Sequence, residues 1–447
     1  MKKIAILALL LFFLTANGLL AEDQKIEKNY WKASLELTGL NYAVWLYDWK
    51  IMGFDWANIS LQSMKRNLKK GYWWSNDGFR CDNFEHPFHG AMYFTSARTN
   101  GFNFWESAVF PFLGSAMWEL MLENNRPSTI DGILTSAGGV LLGEPLFRIA
   151  NDLIIRDNAK GVEKVAREIL GFVVNPMLIS DRLLTGGSFK RTKQSATHNY
   201  DAMLPLGVSN GKPFFAIQLR YADLWNKKDT APYDWFELNL SASSGPKNFQ
   251  NQSLSITGNL LGKKLTMGKS RAWLGIFGHY GYFDFKKNPA VAKNSAFGFG
   301  PGAIWEKRND KSSLAFTAMV FGTVSSATSS FTLRYGDKFF DQFAEKYEFD
   351  RNSASWHFGP GLATQIGLSY KNSWLIGNAR WNEYAMRSRF IKTSERLSAA
   401  SFDLSLRLYH QLWLNAGTSA YTKRGKYKEL NLFHSQTFWK AGIAFQF

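Results

Sequence analysis

The 447-residue sequence predicts an α + β membrane fold, with an N-terminal α-helical domain followed by an antiparallel outer-membrane β-barrel of about twelve strands. Three observations lead there: an export leader, helix-period apolar segments confined to the first 190 residues, and two-residue alternation from about residue 199 to the terminal Phe447.

The leader comes first. Lys2 and Lys3 precede an unbroken apolar run from Ile4 to Phe13, and small residues follow at Ala16, Gly18 and Ala21 before the acidic Glu22 and Asp23. That order is a secretory signal peptide over 1–21, because the apolar run is too short to span a bilayer. No cysteine stands directly after the apolar run, where a lipoprotein needs one, and the single Cys81 cannot close an intramolecular disulfide, so the exported chain depends on packing or on a membrane for stability.

Residues 22–190 are expected to be helical, and periplasmic or plug-like. SLELTGLNYAVWLYDWKIM (34–52) is too long for an ordinary strand, 104–125 has helical spacing interrupted by Pro111, and 161–173 adds another helix. The stretch 126–154 opens with Pro127 and Ser128, and Asp131 follows three residues after the serine in a capping pattern. Ser136, Gly139 and Gly143 then lie about one turn apart, which permits close helix packing.

Residues 191–447 alternate. Phe236, Leu238 and Leu240 oppose Glu237, Asn239 and Ser241; Phe402, Leu404 and Leu406 oppose Asp403, Ser405 and Arg407. Twelve strands are expected, near 199–207, 213–224, 233–244, 252–262, 271–285, 295–306, 312–325, 355–369, 373–387, 400–409, 412–422 and 436–447. Many exceed the roughly 9–11 residues that cross a tilted bilayer. Trp235, Trp273, Trp374 and Trp439 fall near strand ends, where interfacial girdles belong. The connections 307–312 and 370–373 suit periplasmic turns, 326–354 suits an extracellular loop, and the turn at His410–Gln411 is almost too short. FGPG recurs at 299–302 and 358–361, where proline cannot donate to a ladder and glycine tolerates a bend, so both copies predict kinks in the wall.

Charge divides with the fold. Residues 22–190 carry 18 basic and 19 acidic side chains, residues 191–447 carry 33 and 17, and the whole chain is formally +17. Behind a signal peptide, nucleic acid is a poor partner for the basic half. Outer-membrane lipid and lipopolysaccharide are better ones. The basic residues Arg387, Arg389, Lys392 and Arg396, and Lys423, Arg424, Lys426 and Lys428, are placed in two outer loops. Phe447, ending an apolar-alternating strand, resembles the signal read by the barrel-assembly machinery.

The stretch HPFHGAMYFTSARTNGFNFWES from position 86 holds two of seven histidines. With His86-Pro87, His89-Gly90, Tyr93, Ala97-Arg98, Asn100-Gly101, Phe104, Glu106-Ser107, Gly114-Ser115, Trp118-Glu119, Pro127-Ser128, Asp131, Gly143-Glu144 and Arg148, the run 83–148 resembles the bacterial domain of unknown function 3943, found in Gram-negative envelope proteins. The FGPG segments fit that family's C-terminal portion. The resemblance implies location and a helical-then-barrel layout; it implies no activity.

Three readings of the opening stretch stand side by side. His86 and His89 share a helix face and could ligate a metal with Glu85, Glu106, Glu119 or Glu144, yet no HExxH or CxxC spacing is present and no metal or cofactor is expected. Ser107 or Ser115 could be activated by a histidine and oriented by Glu119, although no GxSxG elbow is present. The favoured reading is a buried polar joint made by Arg98, Asn100, Glu106, Glu119, Glu144 and Arg148, because charges among apolar helices must pair. Arg220, Glu237, Arg380, Glu383, Asp403 and Arg407 are expected in the barrel lumen, where the same groups could seat the helices. Three functions follow: a binding or transport barrel for a small or lipidic ligand, capped or plugged by its helices; an envelope-lipid-modifying enzyme, a hydrolase or acyltransferase; or a scaffold for a periplasmic partner.

Overall fold

The computed structural model describes residues 27–75, 77–155, 159–186, 199–225, 230–244, 249–285, 293–329, 356–388, 393–427 and 430–447. The signal peptide, most of the 326–354 connection, Arg389, Lys392 and Lys428 lie outside them. The chain divides into two compact units. One comprises Met1–Asn76, Glu85–His198 and Lys227–Ala231; the other comprises Asp77–Phe84, Asn199–Asn226 and Pro232–Phe447.

In the helical unit, α1 is Tyr30–Lys50, α2 Leu61–Lys70, α3 His86–Thr99, α4 Phe104–Ser107, α5 Val109–Met117, α6 the continuous run Thr129–Ile154, α7 Gly161–Val174 and α8 Pro176–Leu184. Helices α2 and α8 have no counterpart in the sequence reading. Pro87 and Pro176 sit at helix starts, where a missing N–H costs nothing, and Ser128 caps α6 by accepting from the Asp131 N–H at 3.2 Å.

The unit is organised by the crossing of α3 and α6. A Cβ on Gly90 would lie 1.8 Å from the Thr135 carbonyl oxygen, and one on Gly139 would lie 2.5 Å from the Gly90 carbonyl carbon. Gly143 faces the Phe94 ring and Gly114 the Tyr93 ring at similarly short range. Backbone meets backbone here because neither helix has a side chain in the way.

The barrel unit closes completely. Strands β1 Tyr200–Ser209, β2 Lys212–Ala222, β3 Trp235–Ser244, β4 Phe249–Met267, β5 Ser270–Phe285, β6 Lys293–Arg308, β7 Ser312–Ser329, β8 Trp356–Asn372, β9 Leu375–Arg387, β10 Thr393–Tyr409, β11 Leu412–Tyr427 and β12 Leu430–Gln446 pair in sequence order, and β12 returns to β1. Closure leaves no sheet edge, which is the condition for crossing lipid with strands. The two-residue turns Asn210–Gly211 and His410–Gln411 are achieved by positive φ, with Asn210 at 46° and His410 at 40°.

Strands β10 and β11 extend further than the sequence reading placed them. Arg396, Lys423, Arg424 and Lys426 are therefore strand residues, not loop residues. Both FGPG segments border β7. The β6–β7 ladder pairs Phe299 with Gly322 and resumes at Gly302 with Met319, and the β7–β8 ladder slips between Gly359 and Gly361. The kinks are thus interruptions on either side of one strand.

The outward face over much of the wall is apolar and exposed: Phe316, Val320, Leu368, Phe402, Leu414, Ile443 and Phe445 all point away from the lumen. Trp374 is exposed in the turn before β9 as a girdle requires; Trp439 is exposed in the middle of β12, which begins earlier than expected, and Trp235 and Trp273 are buried on the lumen side, where Trp235 meets Phe277 edge-on at 6.1 Å. Strand-end position alone does not say which face an indole takes.

Part of the outer face is covered by the unit's own chain. Segment Asp77–Phe84 lies against the outer side of β5, β6 and β8. The Tyr280 hydroxyl donates to the Asn83 carbonyl at 3.0 Å, the Ser295 hydroxyl donates to Asn83 Oδ1 at 2.5 Å, and the Trp356 indole N–H donates to the Asp77 carbonyl at 3.0 Å. Phe79 stacks on Tyr282 at 5.6 Å. Tyr280 and Tyr282 alternate with lumen-facing His279 and Phe283, so the strap sits outside the wall.

Candidate functional site

Within the helical unit Arg98, Glu144 and Arg148 form one buried triad, while Asn100, Glu106 and Glu119 each bond elsewhere. Glu144 is fully buried and accepts from Arg98 Nε at 2.7 Å, Arg98 Nη2 at 3.1 Å and Arg148 Nε at 2.9 Å. Arg98 also donates to the Phe102 carbonyl at 2.7 Å, which fastens the turn after α3, while its bonds to Glu144 tie the end of α3 to α6. Asn100 donates to Glu36 of α1 at 2.8 Å. Glu106 closes a capping box with Asn103 and takes Lys28 at 2.7 Å. Glu119 accepts the Ser128 backbone N–H at 2.6 Å, where α6 begins. Each carboxylate holds a helix end or a helix pair.

The histidines separate. His86 Nε2 lies 3.7 Å from Asp131 Oδ1. His89 is packed between Tyr93 and Trp118, with ring centroids 4.7 and 5.4 Å away. Burial first, and His86 second, lower its pKa to about 3, so it is a neutral core ring at physiological pH. Ser107 Oγ and Ser115 Oγ are buried without a hydrogen-bond partner, so neither is bonded to a histidine. The nucleophile–base arrangement is not assembled. Tyr93 instead donates its hydroxyl to Asn41, whose amide donates to the Gly114 carbonyl at 3.2 Å, joining α1, α3 and α5.

A second titratable cluster was not anticipated. Glu36 lies beside Lys32 and Asp181, and Lys32 also pairs with Asp181. Burial first, then the Asp181 carboxylate, push the Glu36 carboxyl up to about 7.

In the barrel, ion pairs between strands that are not neighbours must run through the interior, and they identify the lumen face. Arg220 of β2 meets Glu306 of β6 at 2.8 Å, and Arg308 also binds Glu306. Arg380 of β9 pairs with Glu237 of β3. Lys371 meets Asp201 at 2.6 Å, and Lys440 meets Asp403 at 2.5 Å. Arg220, Glu237, Arg380 and Asp403 are therefore lumen residues, each with a partner from the barrel itself.

One predicted lumen residue faces the other way, and another keeps the inward parity but sits at the rim. Glu383 is three residues from Arg380, hence on the opposite face of the strand; it accepts from the Ser398 hydroxyl at 2.7 Å and pairs with Arg396 on the outer wall. Arg407 sits at the rim and donates to the His410 and Ser373 carbonyls at 2.6 and 3.2 Å, which holds two tight turns together.

These pairs surround a cavity of about 1030 Å³ at the barrel end bounded by the tight turns 309–312 and 372–374. Gln218, Asn239 and Asn378 add amides, and Tyr370 and Trp374 stand at its rim. Beyond it the lumen closes. The Thr257 hydroxyl donates to Gln365 Oε1 at 2.9 Å, joining β4 to β8, so it must accept from His279 Nδ1, also at 2.9 Å. His279 stacks on Phe321 at 5.0 Å and Tyr384 at 5.9 Å, and Phe283 meets Tyr384 at 5.6 Å. Inward parity was readable for many of these residues; their cross-lumen partners depend on strand tilt and register, which were not.

A closed twelve-stranded ladder with an apolar outer wall and a charged lumen defines an outer-membrane β-barrel protein. Residues 71–177 match the family model described as "Domain of unknown function (DUF3943)", extending beyond both ends of the 83–148 resemblance but not reaching either FGPG segment. No curated protein matches the chain. Among solved structures it is similar to the NanC porin, at 9% identity and TM-score 0.29, over 55% of this chain and 99% of that one. It is also similar to the copper transporter OprC, at 10% identity and TM-score 0.23, over 57% and 43%. An anion-selective porin from Comamonas acidovorans aligns at 8% identity and TM-score 0.18, over 56% and 99%.

Proposed function

We propose that the protein is a binding barrel with a blind lumen: a cup that takes a small polar solute at the tight-turn end rather than an open pore. The observation that carries this is the side-chain layer Thr257–Gln365–His279–Tyr384 bridging the lumen beyond the 1030 Å³ cavity. Most of the cup's charges are paired, with one guanidinium in excess where Arg220 and Arg308 share Glu306, and the remaining lining is rich in amides, which favours a polyfunctional polar ligand over a lipid.

Planar-bilayer recording tests it. The native protein is expected to give no steady conductance, and Tyr384→Ala with Gln365→Ala is expected to produce one. A steady ohmic conductance from the native protein would sink the cup and restore a transport pore.

One observation favours a second reading, a scaffold for a periplasmic partner. Helix α7 leaves Val162, Val165, Ile169 and Val173 exposed at helical spacing. A photo-crosslinker at Ile169 in cells should trap one defined envelope protein; labelling of lipid alone would remove the scaffold.

A further inference from the structure

The outer wall of β8 to β12 carries a charge arrangement that the fold does not require. Arg396 of β10 stands directly opposite Arg424 of β11, and both point away from the lumen, since Leu397 between Tyr384 and Lys423 faces inward. Like charges paired directly across strands destabilise a sheet. The next outward row adds two more cations, with Ser394 flanked by Arg387 on one side and Lys426 on the other. Against these four, the neighbouring outward carboxylate is Glu383, paired with Arg396.

The same patch borders a groove of about 650 Å³ whose lining is mainly apolar. Leu362 and Phe433 stand on either side of the cations, 56% and 65% exposed, and continue the lipid-facing belt. Arg424 lies over the Phe433 ring at 5.8 Å, which holds its guanidinium at the groove. Charged side chains on a lipid face are tolerated only near an interface. These lie at the barrel end opposite the 309–312 and 372–374 turns, the end at which β7 and β8 are joined by the longest connection.

We propose that this patch is a binding site for a phosphorylated, multiply acylated lipid of the outer leaflet. The Arg396–Arg424 pair grips one phosphate, Arg387 and Lys426 complete the anion shell, and acyl chains run along Leu362 and Phe433. Arginine suits the task because its planar fork meets phosphate oxygens with two N–H donors at once. A phosphate between Arg396 and Arg424 converts the unfavourable like-charge pair into two attractions. The site is independent of the lumen cup, which faces the other side of the wall.

The test uses the full-length protein in phosphatidylcholine vesicles containing a small fraction of bis-phosphorylated lipid A. Native mass spectrometry after mild detergent extraction reads the lipid retained. The native protein should retain lipid A at least tenfold over phosphatidylcholine, and Arg396→Gln/Arg424→Gln should bring that preference to within about twofold, with the heat-resistant barrel band unchanged.

A measurement on the native protein alone guards against a misfolded variant: enzymatically dephosphorylated lipid A should lose the preference. Leu362→Ser/Phe433→Ser, which leaves the charges intact, should lower retention severalfold. Equal retention by the arginine variant or of dephosphorylated lipid A overturns the site. Displacement of lipid A by millimolar inorganic phosphate also overturns it, because the patch would then hold free phosphate rather than an amphiphile.

Discussion

Glu144 and Glu306 each stand between two arginines, yet the two triads differ in kind. Glu144 is wholly buried with Arg98 and Arg148, whose side chains are 15% and 7% exposed. Glu306 is also buried, but Arg220 and Arg308 are 22% and 54% exposed and line the lumen cavity. The first triad has no water to fall back on and serves as a joint. The second can exchange a protein partner for water or a ligand, which is what a binding surface needs. The same three groups become structure or site according to what solvates the cations.

The sharpest break in that comparison is truncation of the two glutamates. Glu144→Ala leaves two guanidiniums buried without their carboxylate and should destabilise the helical unit by about 3–5 kcal/mol, read by chemical denaturation of the full chain in micelles. Glu306→Ala should cost about 1 kcal/mol or less, because its partners reach solvent. Equal losses would mean that the lumen triad is as closed as the helical one.

The helix crossing comes next. Gly90→Ala places a methyl inside the Thr135 carbonyl, so α3 and α6 must part, at a cost of about 1–3 kcal/mol on the same denaturation curve. A neutral outcome would show that the close approach does not constrain the joint. The outer strap offers a smaller effect: Asn83→Ala removes the Ser295 and Phe79 hydrogen bonds, worth about 1–2 kcal/mol together, and should increase protease cutting near residue 80.

The smallest effect is a pH dependence. With its pKa raised to about 7 when folded, against about 4.3 when unfolded, Glu36 keeps a proton in the folded state that the unfolded chain has released. Its contribution is therefore full below the unfolded value, lost as pH rises to about 7, and flat beyond. Glu36→Gln should abolish that slope; an unchanged slope would assign it to another group.

How much of this was legible beforehand follows from geometry. Alternation in β10 placed Asp403 inward and Phe402 outward because a strand has only two faces, and the same rule shows why Arg380 and Glu383, three apart, cannot both face the lumen. Ser136, Gly139 and Gly143 marked a close-packing face, although Gly90 of the opening stretch, not a histidine, turned out to be the matching surface. Glu106 and Glu119 were read as network members, whereas their partners are nearby helix starts.

By itself the sequence pointed to the class of the protein: period-two alternation fits a sandwich or a barrel, but runs long enough to cross a bilayer and the terminal Phe447 favour a barrel wall, and charges among apolar helices require partners. Only the tertiary structure decided which partners. Arg220 with Glu306 and Arg396 with Arg424 depend on how far each strand slides past the next. That slide is set by closure of the ladder as a whole, and no local stretch of residues contains it.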